Sequence, residues 1–70
     1  MGQGARMDNL KTLRAADGRP MSVLATQAGV SDICIKALED GGARDHHEVA
    51  NLCAALGVDA ATAGVANLDG

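Results

Sequence analysis

Residues 21–40 read MSVLATQAGVSDICIKALED and predict two short helices joined by a tight turn. In the first half, Leu24 and Ala28 are spaced to lie on one helical face, which is typical of a helix packed against a core. Gly29 follows and predicts a chain reversal with positive φ, a conformation that costs a residue with a Cβ about 1 kcal/mol. Ser31 can then cap the second helix by accepting a hydrogen bond from a free backbone N–H group.

The second of these helices has one apolar side and one side expected to face solvent. Ile35 and Leu38 fall on the apolar side. The opposite side carries the candidate base-reading residues, Asp32, Ile33, Lys36 and Ala37. In a major groove, the carboxylate could accept from cytosine N4, the isoleucine could contact a thymine methyl, and the lysine could donate to guanine.

Three further helices are predicted on either side of this pair. A helix over 7–16 ends at Gly18, which tolerates a left-handed φ. Asp45 and Glu48 have the spacing of a capping box, so a fourth helix is expected to begin there. Its buried face is the strongest periodic signal in the chain and consists of Val49, Leu52, Cys53 and Leu56. A short fifth helix over 60–63 follows.

These patterns predict an all-α fold, a compact bundle of four to five short helices with a central helix-turn-helix. The chain of 70 residues contains no Phe, Tyr or Trp, so its core is expected to consist of thin aliphatic layers between helices. No alternating apolar pattern is long enough to predict a strand. We expect a flexible leader over 1–6, the domain over 7–63, and a tail over 64–70 that is either dimer-forming or disordered.

The order of residue types in the central stretch resembles the Cro and phage-repressor (XRE-like) family of helix-turn-helix DNA-binding domains, which are lambda-repressor-like in fold. The resemblance rests on Leu24-Ala25, Ala28-Gly29-Val30-Ser31, Ile35 and Leu38-Glu39-Asp40-Gly41, with Leu13-Arg14 before them and Leu52-Cys53-Ala54-Ala55-Leu56-Gly57-Val58 after them. It implies a transcriptional regulator, most often a repressor, that binds a palindromic operator in double-stranded DNA as a homodimer. It also implies a structural ion pair between Arg14 and Glu39.

The start of the second helix departs from that family. Pro20 and Met21 stand where relatives commonly carry a Ser or Thr cap and a phosphate-binding Gln. The remaining candidates for phosphate contacts are Arg19, Met21, Ser22, Ser31 and Arg44. Hydroxyl groups, guanidinium groups and helix amino-terminal N–H groups all serve this purpose in protein–DNA complexes.

The charge of the chain leaves alternatives to DNA binding open. The formal net charge is −3, although all six basic residues lie at or before position 44. Because attraction to phosphate supplies much of the affinity for DNA, a negative chain is also compatible with a helix-turn-helix that binds a protein partner. A third alternative is an antitoxin-like regulator that binds DNA together with a second protein.

Other classes of function are disfavoured by the sequence. His46 and His47 are adjacent and point about 100° apart on a helix, and no paired cysteine spacing accompanies them, so no metal or other cofactor is expected. Cys34 and Cys53 are predicted to be reduced core residues. So small a domain offers little cavity for catalysis, and we expect no enzyme. No apolar run is long enough to span a membrane, and a cytoplasmic protein of a bacterium or phage is expected.

Overall fold

The computed structural model describes residues 4–68, which form five helices and a three-stranded sheet. The strands are β1 (Gly4–Met7), β2 (Arg44–Asp45) and β3 (Val65–Asn67). The helices are α1 (Leu10–Asp17), α2 (Met21–Ala28), α3 (Asp32–Glu39), α4 (His46–Leu56) and α5 (Ala60–Ala63). Among the described residues, no helix has the length and apolar character needed to cross a membrane.

The sheet corrects the all-α prediction, which is wrong: helices make up 60% and strands 14% of the described chain. β1 is the central strand and pairs antiparallel with both β2 and β3. Ala5 and Met7 are buried while Arg6 between them is exposed, which is the period of two that a strand requires. This alternation spans only four residues, too few to predict a strand from the sequence. β1 forms by pairing with distant segments, and such pairing is not visible in a local stretch of sequence.

The two ends of the described chain therefore lie in the sheet. Residues 4–6, expected in a flexible leader, belong to β1, and Met7, expected in the first helix, is the last residue of that strand. The first three residues of the tail after Gly64 form β3. Residues 1–3 and 69–70 of the predicted leader and tail lie outside the described residues.

The predicted helix caps at Ser31 and Asp45 and the predicted turn at Gly29 are confirmed. The Ser31 hydroxyl accepts from the Cys34 N–H at 3.1 Å at the start of α3. Asp45 and Glu48 form the capping box of α4, with the Asp45 carboxylate accepting from the His47 N–H at 2.8 Å. Asp59 caps α5, and Gly29 ends α2 with a φ of 74°.

The core lies between the helices and the inner face of the sheet. α4 packs on both α2 and β1. The largest fully buried side chains are Met7, Leu10, Leu24, Cys34, Ile35 and Leu52. Cys53 is also buried, and both cysteines are free thiols, as predicted. The core is thus aliphatic and sulfur-containing, and it supports the α2–α3 pair from behind.

Candidate functional site

A short turn joins α2 to α3, and two backbone hydrogen bonds fix its conformation. The Gly29 N–H donates to the Thr26 carbonyl at 3.2 Å, and the Val30 N–H donates to the Ala25 carbonyl at 2.9 Å. Ala25 is 2% exposed and belongs to the buried core cluster that both helices share. A larger side chain there would separate the helices, since close-packed cores do not absorb added volume without strain.

The turn orients α3 with Cys34, Ile35 and Leu38 in the core. The opposite side presents Asp32, Ile33 and Lys36, all exposed; we call these three residues the α3 face. Ile33 is 73% exposed, an unusual environment for so large an apolar side chain. Ala37, the fourth predicted base-reading residue, is half-buried, and its carbonyl accepts from the Gly42 N–H at 2.8 Å.

A shallow groove of about 360 Å³ runs along the α3 face. Its lining residues are Met21, Asp32, Ile33, Lys36, Ala37 and Asp40. The sequence predicts a phosphate contact for Met21 and no role at this face for Asp40. The Lys36 ammonium lies 3.8 Å from the Asp40 carboxylate, one helical turn away. The i,i+4 spacing of these two residues is the signal that could have identified Asp40.

The guanidinium group of Arg19 is engaged within the protein. Its Nη2 donates to the Asp17 carboxylate at 2.8 Å and to the Ala55 carbonyl at 2.8 Å, and its Nη1 donates to Gln27. The hydrogen bonds from Arg19 lower the pKa of Asp17. Arg19 therefore joins the α1–α2 connection to the last turn of α4, and a phosphate contact would have to compete with these partners.

Arg44 is engaged in a similar way. Its Nε and Nη2 each donate to the Glu48 carboxylate at 3.2 Å, which lowers the pKa of Glu48. Burial, followed by the charge of Glu48, raises the pKa of the nearby Cys34 thiol to about 11. Cys34 is therefore protonated at neutral pH. Arg44, Glu48 and Cys34 together connect the start of α4 to the buried side of α3.

The other phosphate-contact candidates lie near the amino-terminal ends of α2 and α3. Ser22 and Ser31 are exposed, although the Ser31 hydroxyl already caps α3, and Met21 is half-buried. Pro20 occupies the cap of α2 and supplies no side-chain hydrogen bond. Pro20 thus leaves the first-turn N–H groups of α2 without a side-chain cap. Uncapped N–H groups at the amino-terminal end of a helix favour the binding of an anion.

Arg14 and Glu39 are brought together between α1 and the last turn of α3. The contact is bidentate: Nε donates to Oε2, and Nη2 donates to Oε1 at 3.2 Å. The Arg14 and Glu39 side chains are 26% and 10% exposed. Together with the Ser31 cap, this pair fixes α3 at both ends, so the α3 face is presented on a rigid element.

The protein is expected to lose stability as the pH falls below about 4, because carboxylates such as Glu48, Asp17 and Asp59 have pKa values lowered by their hydrogen bonds. A carboxyl group whose pKa is lowered in the folded state contributes stability that is fully present above its unfolded pKa. That contribution is lost as the pH falls through the folded pKa. Thermal unfolding followed by far-UV circular dichroism between pH 7 and pH 2 measures this loss.

Glu48→Gln is the matched variant for this pH dependence. Glutamine keeps the capping box with Asp45 but has no titrating group. We expect the melting temperature of Glu48→Gln to depend less steeply on pH below 4 than that of the wild-type protein. Parallel curves for the two proteins would show that the Arg44–Glu48 pair contributes nothing to acid unfolding.

Within residues 4–68, no group of three or more His, Cys, Asp and Glu side chains is arranged to hold a metal ion. Comparison of the chain with protein-family models, with curated proteins and with solved structures found no match.

Proposed function

We propose that the protein is a helix-turn-helix regulator of transcription that binds a specific operator in double-stranded DNA. The observation that carries this proposal is the α3 face, in which Asp32, Ile33 and Lys36 lie exposed along the first five residues of a helix fixed at both ends. The amino-terminal residues of a recognition helix are those that reach base edges. The major groove, about 12 Å wide, accommodates an α-helix whose amino-terminal residues face the bases.

In this proposal, α2 positions the protein on the DNA backbone. Its uncapped start, with Ser22 exposed, would contact a phosphate through backbone N–H groups and a hydroxyl. Ser31 lies at the start of α3 and would contact the same strand. Arg19 and Arg44 contribute less than the sequence predicts, because each is held by a carboxylate of the protein.

Each residue of the α3 face has a separate role in base recognition. Asp32 would accept a hydrogen bond from cytosine N4, Ile33 would pack on a thymine methyl, and Lys36 would donate to guanine. Ala37 is half-buried and contributes at most a contact with a methyl group. The proposed regulator acts as a homodimer on a palindromic site, most simply as a repressor in the cytoplasm of a bacterium or of a phage-infected cell.

A second candidate function is a helix-turn-helix that binds a protein partner. It is favoured by the exposed Ile33 in an apolar groove next to Met21, by the carboxylates of Asp32 and Asp40 in that groove, and by the net charge of −3. An antitoxin-like regulator would combine both functions, since a bound partner would compensate for weak phosphate contacts through avidity.

Selection of the purified protein against a random duplex pool at low salt tests the proposed function. We expect enrichment of a palindrome whose half-sites lie about one helical turn apart. Affinity for the enriched duplex should fall with salt at a log–log slope of about −5, as for a dimer that contacts on the order of six phosphates. A pool that remains random after several rounds would favour the protein-partner alternative.

Lys36→Ala, compared with Lys11→Ala on α1, resolves the role of the α3 face. Both lysines are exposed, so neither substitution should change the fold. We expect Lys36→Ala to relax the preference at one base pair by about 1–3 kcal/mol. Lys11→Ala should keep the wild-type preference at every position. An equal loss of affinity for all duplexes in Lys36→Ala would make Lys36 a phosphate contact.

A further inference from the structure

Two rows of side chains run next to each other along the exposed side of α3. At about 100° per residue, Asp32, Lys36 and Asp40 fall within an arc of about 80°. Ile33 and Ala37 follow within the next arc of about 60°. We call the first set the polar row and the second set the apolar row. Both rows line the groove of about 360 Å³ on the α3 face, so a group seated in the groove contacts both.

The apolar row continues onto α2 through Met21, which lines the same groove. Ile33 is 73% exposed, and Met21 and Ala37 beside it are half-buried. Apolar side chains exposed singly are common on protein surfaces, whereas a group of them in one groove marks a binding site. In the major groove of DNA, the apolar group that a base presents is a methyl group at C5 of a pyrimidine. The apolar row therefore fits a methylated pyrimidine.

The polar row requires a hydrogen-bond donor at its amino-terminal end. A carboxylate accepts hydrogen bonds and donates none. The Asp40 carboxylate lies 3.8 Å from the Lys36 ammonium, whereas Asp32 has no charged partner among the described residues. In the major groove, the bases that donate are cytosine through N4 and adenine through N6. Asp32 therefore fits one of these two bases and is repelled by an acceptor such as thymine O4.

The two rows together select a single base. The groups at C4 and C5 of a pyrimidine are neighbours on the ring, so one base can reach both rows. Thymine carries the methyl group but has an acceptor beside it, and unmodified cytosine carries the donor but no methyl group. Adenine also donates without a methyl group. 5-Methylcytosine presents the N4 donor and the methyl group side by side.

We propose that the α3 face recognises 5-methylcytosine in its operator, with the Asp32 carboxylate accepting from N4 and the Ile33 side chain packed on the 5-methyl group of the same base. Ile33 then contacts this methyl group in place of a thymine methyl at another position. Lys36 keeps its contact with guanine. The inference rests on the proposed function and names the base that the recognition helix reads.

Parallel selections from two random duplex pools, one made with cytosine and one with 5-methylcytosine in its place, supply the duplexes for the test. The enriched operator is then synthesised with cytosine, 5-methylcytosine or thymine at each cytosine position of the half-site in turn. Fluorescence anisotropy at fixed salt measures the affinities. At one position we expect 5-methylcytosine to bind about fourfold more tightly than cytosine, as burial of one methyl group predicts. It should bind at least about fivefold more tightly than thymine, which lacks the donor.

Ile33→Ala and Val23→Ala form a matched pair of variants. Both residues are exposed aliphatic side chains, but Val23 lies on α2 outside the lining of this groove. Ile33→Ala should bind the cytosine and 5-methylcytosine duplexes equally and still prefer both to thymine. Val23→Ala should keep the wild-type preference for the methyl group. Asp32→Asn should bind 5-methylcytosine and thymine equally, because an amide both accepts and donates hydrogen bonds.

The outcomes separate this inference from the proposed function. An operator that is bound equally well with cytosine and with 5-methylcytosine at every position would overturn the inference and leave the proposed function standing. A preference for the methyl group that persists in Ile33→Ala would do the same. Pools that both remain random would overturn the proposed function and this inference with it.

Discussion

Replacing Met7 with alanine is expected to lower the free energy of unfolding by about 2–4 kcal/mol. Met7 is 1% exposed and lies in the central strand of the sheet, where it packs into the main core cluster. Alanine leaves a cavity that the surrounding side chains fill only in part, and the lost contacts add to the lost hydrophobic transfer energy. Urea denaturation followed by circular dichroism measures the change.

Arg6→Ala is the control on the same strand. The Arg6 side chain is 45% exposed and lies 3.8 Å from Asp8 in a solvent-accessible ion pair. Pairs of this kind contribute about 0–1 kcal/mol, so the unfolding free energy of Arg6→Ala should stay close to that of the wild-type protein. If Met7→Ala were as stable as Arg6→Ala, β1 would not be part of the core. That result would instead support the prediction of a flexible leader over 1–6.

The helices could be predicted because their signals are local. Ser31 and Asp45 cap helices within three residues of themselves, and Gly29 marks the turn through its own φ. The sheet could not be predicted in this way. β1 pairs with residues about 40 positions away in β2 and about 60 positions away in β3, and its own alternation is only four residues long. Strand formation there depends on tertiary contacts, which no short window of sequence contains.

In the candidate site, too, some features follow from local sequence and others depend on tertiary contacts. The exposure of Asp32, Ile33 and Lys36 follows from helical periodicity, because Ile35 and Leu38 fix the buried side of α3. The engagement of Arg19 does not follow from any local pattern, since its guanidinium reaches the Ala55 carbonyl 36 residues away. Long arginine side chains take their partners from the tertiary structure, so a basic residue near a helix start is a weak predictor of a phosphate contact.

Glu39→Ala is the second substitution for which we expect a large effect, a loss of about 2–3 kcal/mol in the free energy of unfolding. The value lies between the ~1 kcal/mol upper range of exposed pairs and the 3–5 kcal/mol of fully buried ones, because Glu39 is 10% exposed and Arg14 is 26% exposed. Removal of the carboxylate leaves the guanidinium of Arg14 half-buried without its bidentate acceptor. It also releases the last turn of α3 from α1.

A double-mutant cycle with Arg14→Ala separates the interaction energy between Arg14 and Glu39 from the individual contributions of the two side chains to stability. We expect a coupling energy of about 1–2 kcal/mol, as for residues that share a hydrogen-bonded network. The cycle through Lys36 and Asp40, which are 70% and 67% exposed, should give a coupling below about 0.5 kcal/mol. Additive effects of Arg14→Ala and Glu39→Ala would contradict the structural role of the pair. If the coupling is present, and if the protein binds DNA as we propose, Glu39→Ala should loosen α3 and weaken binding to every sequence alike, because Glu39 holds α3 on α1 and is not part of the α3 face.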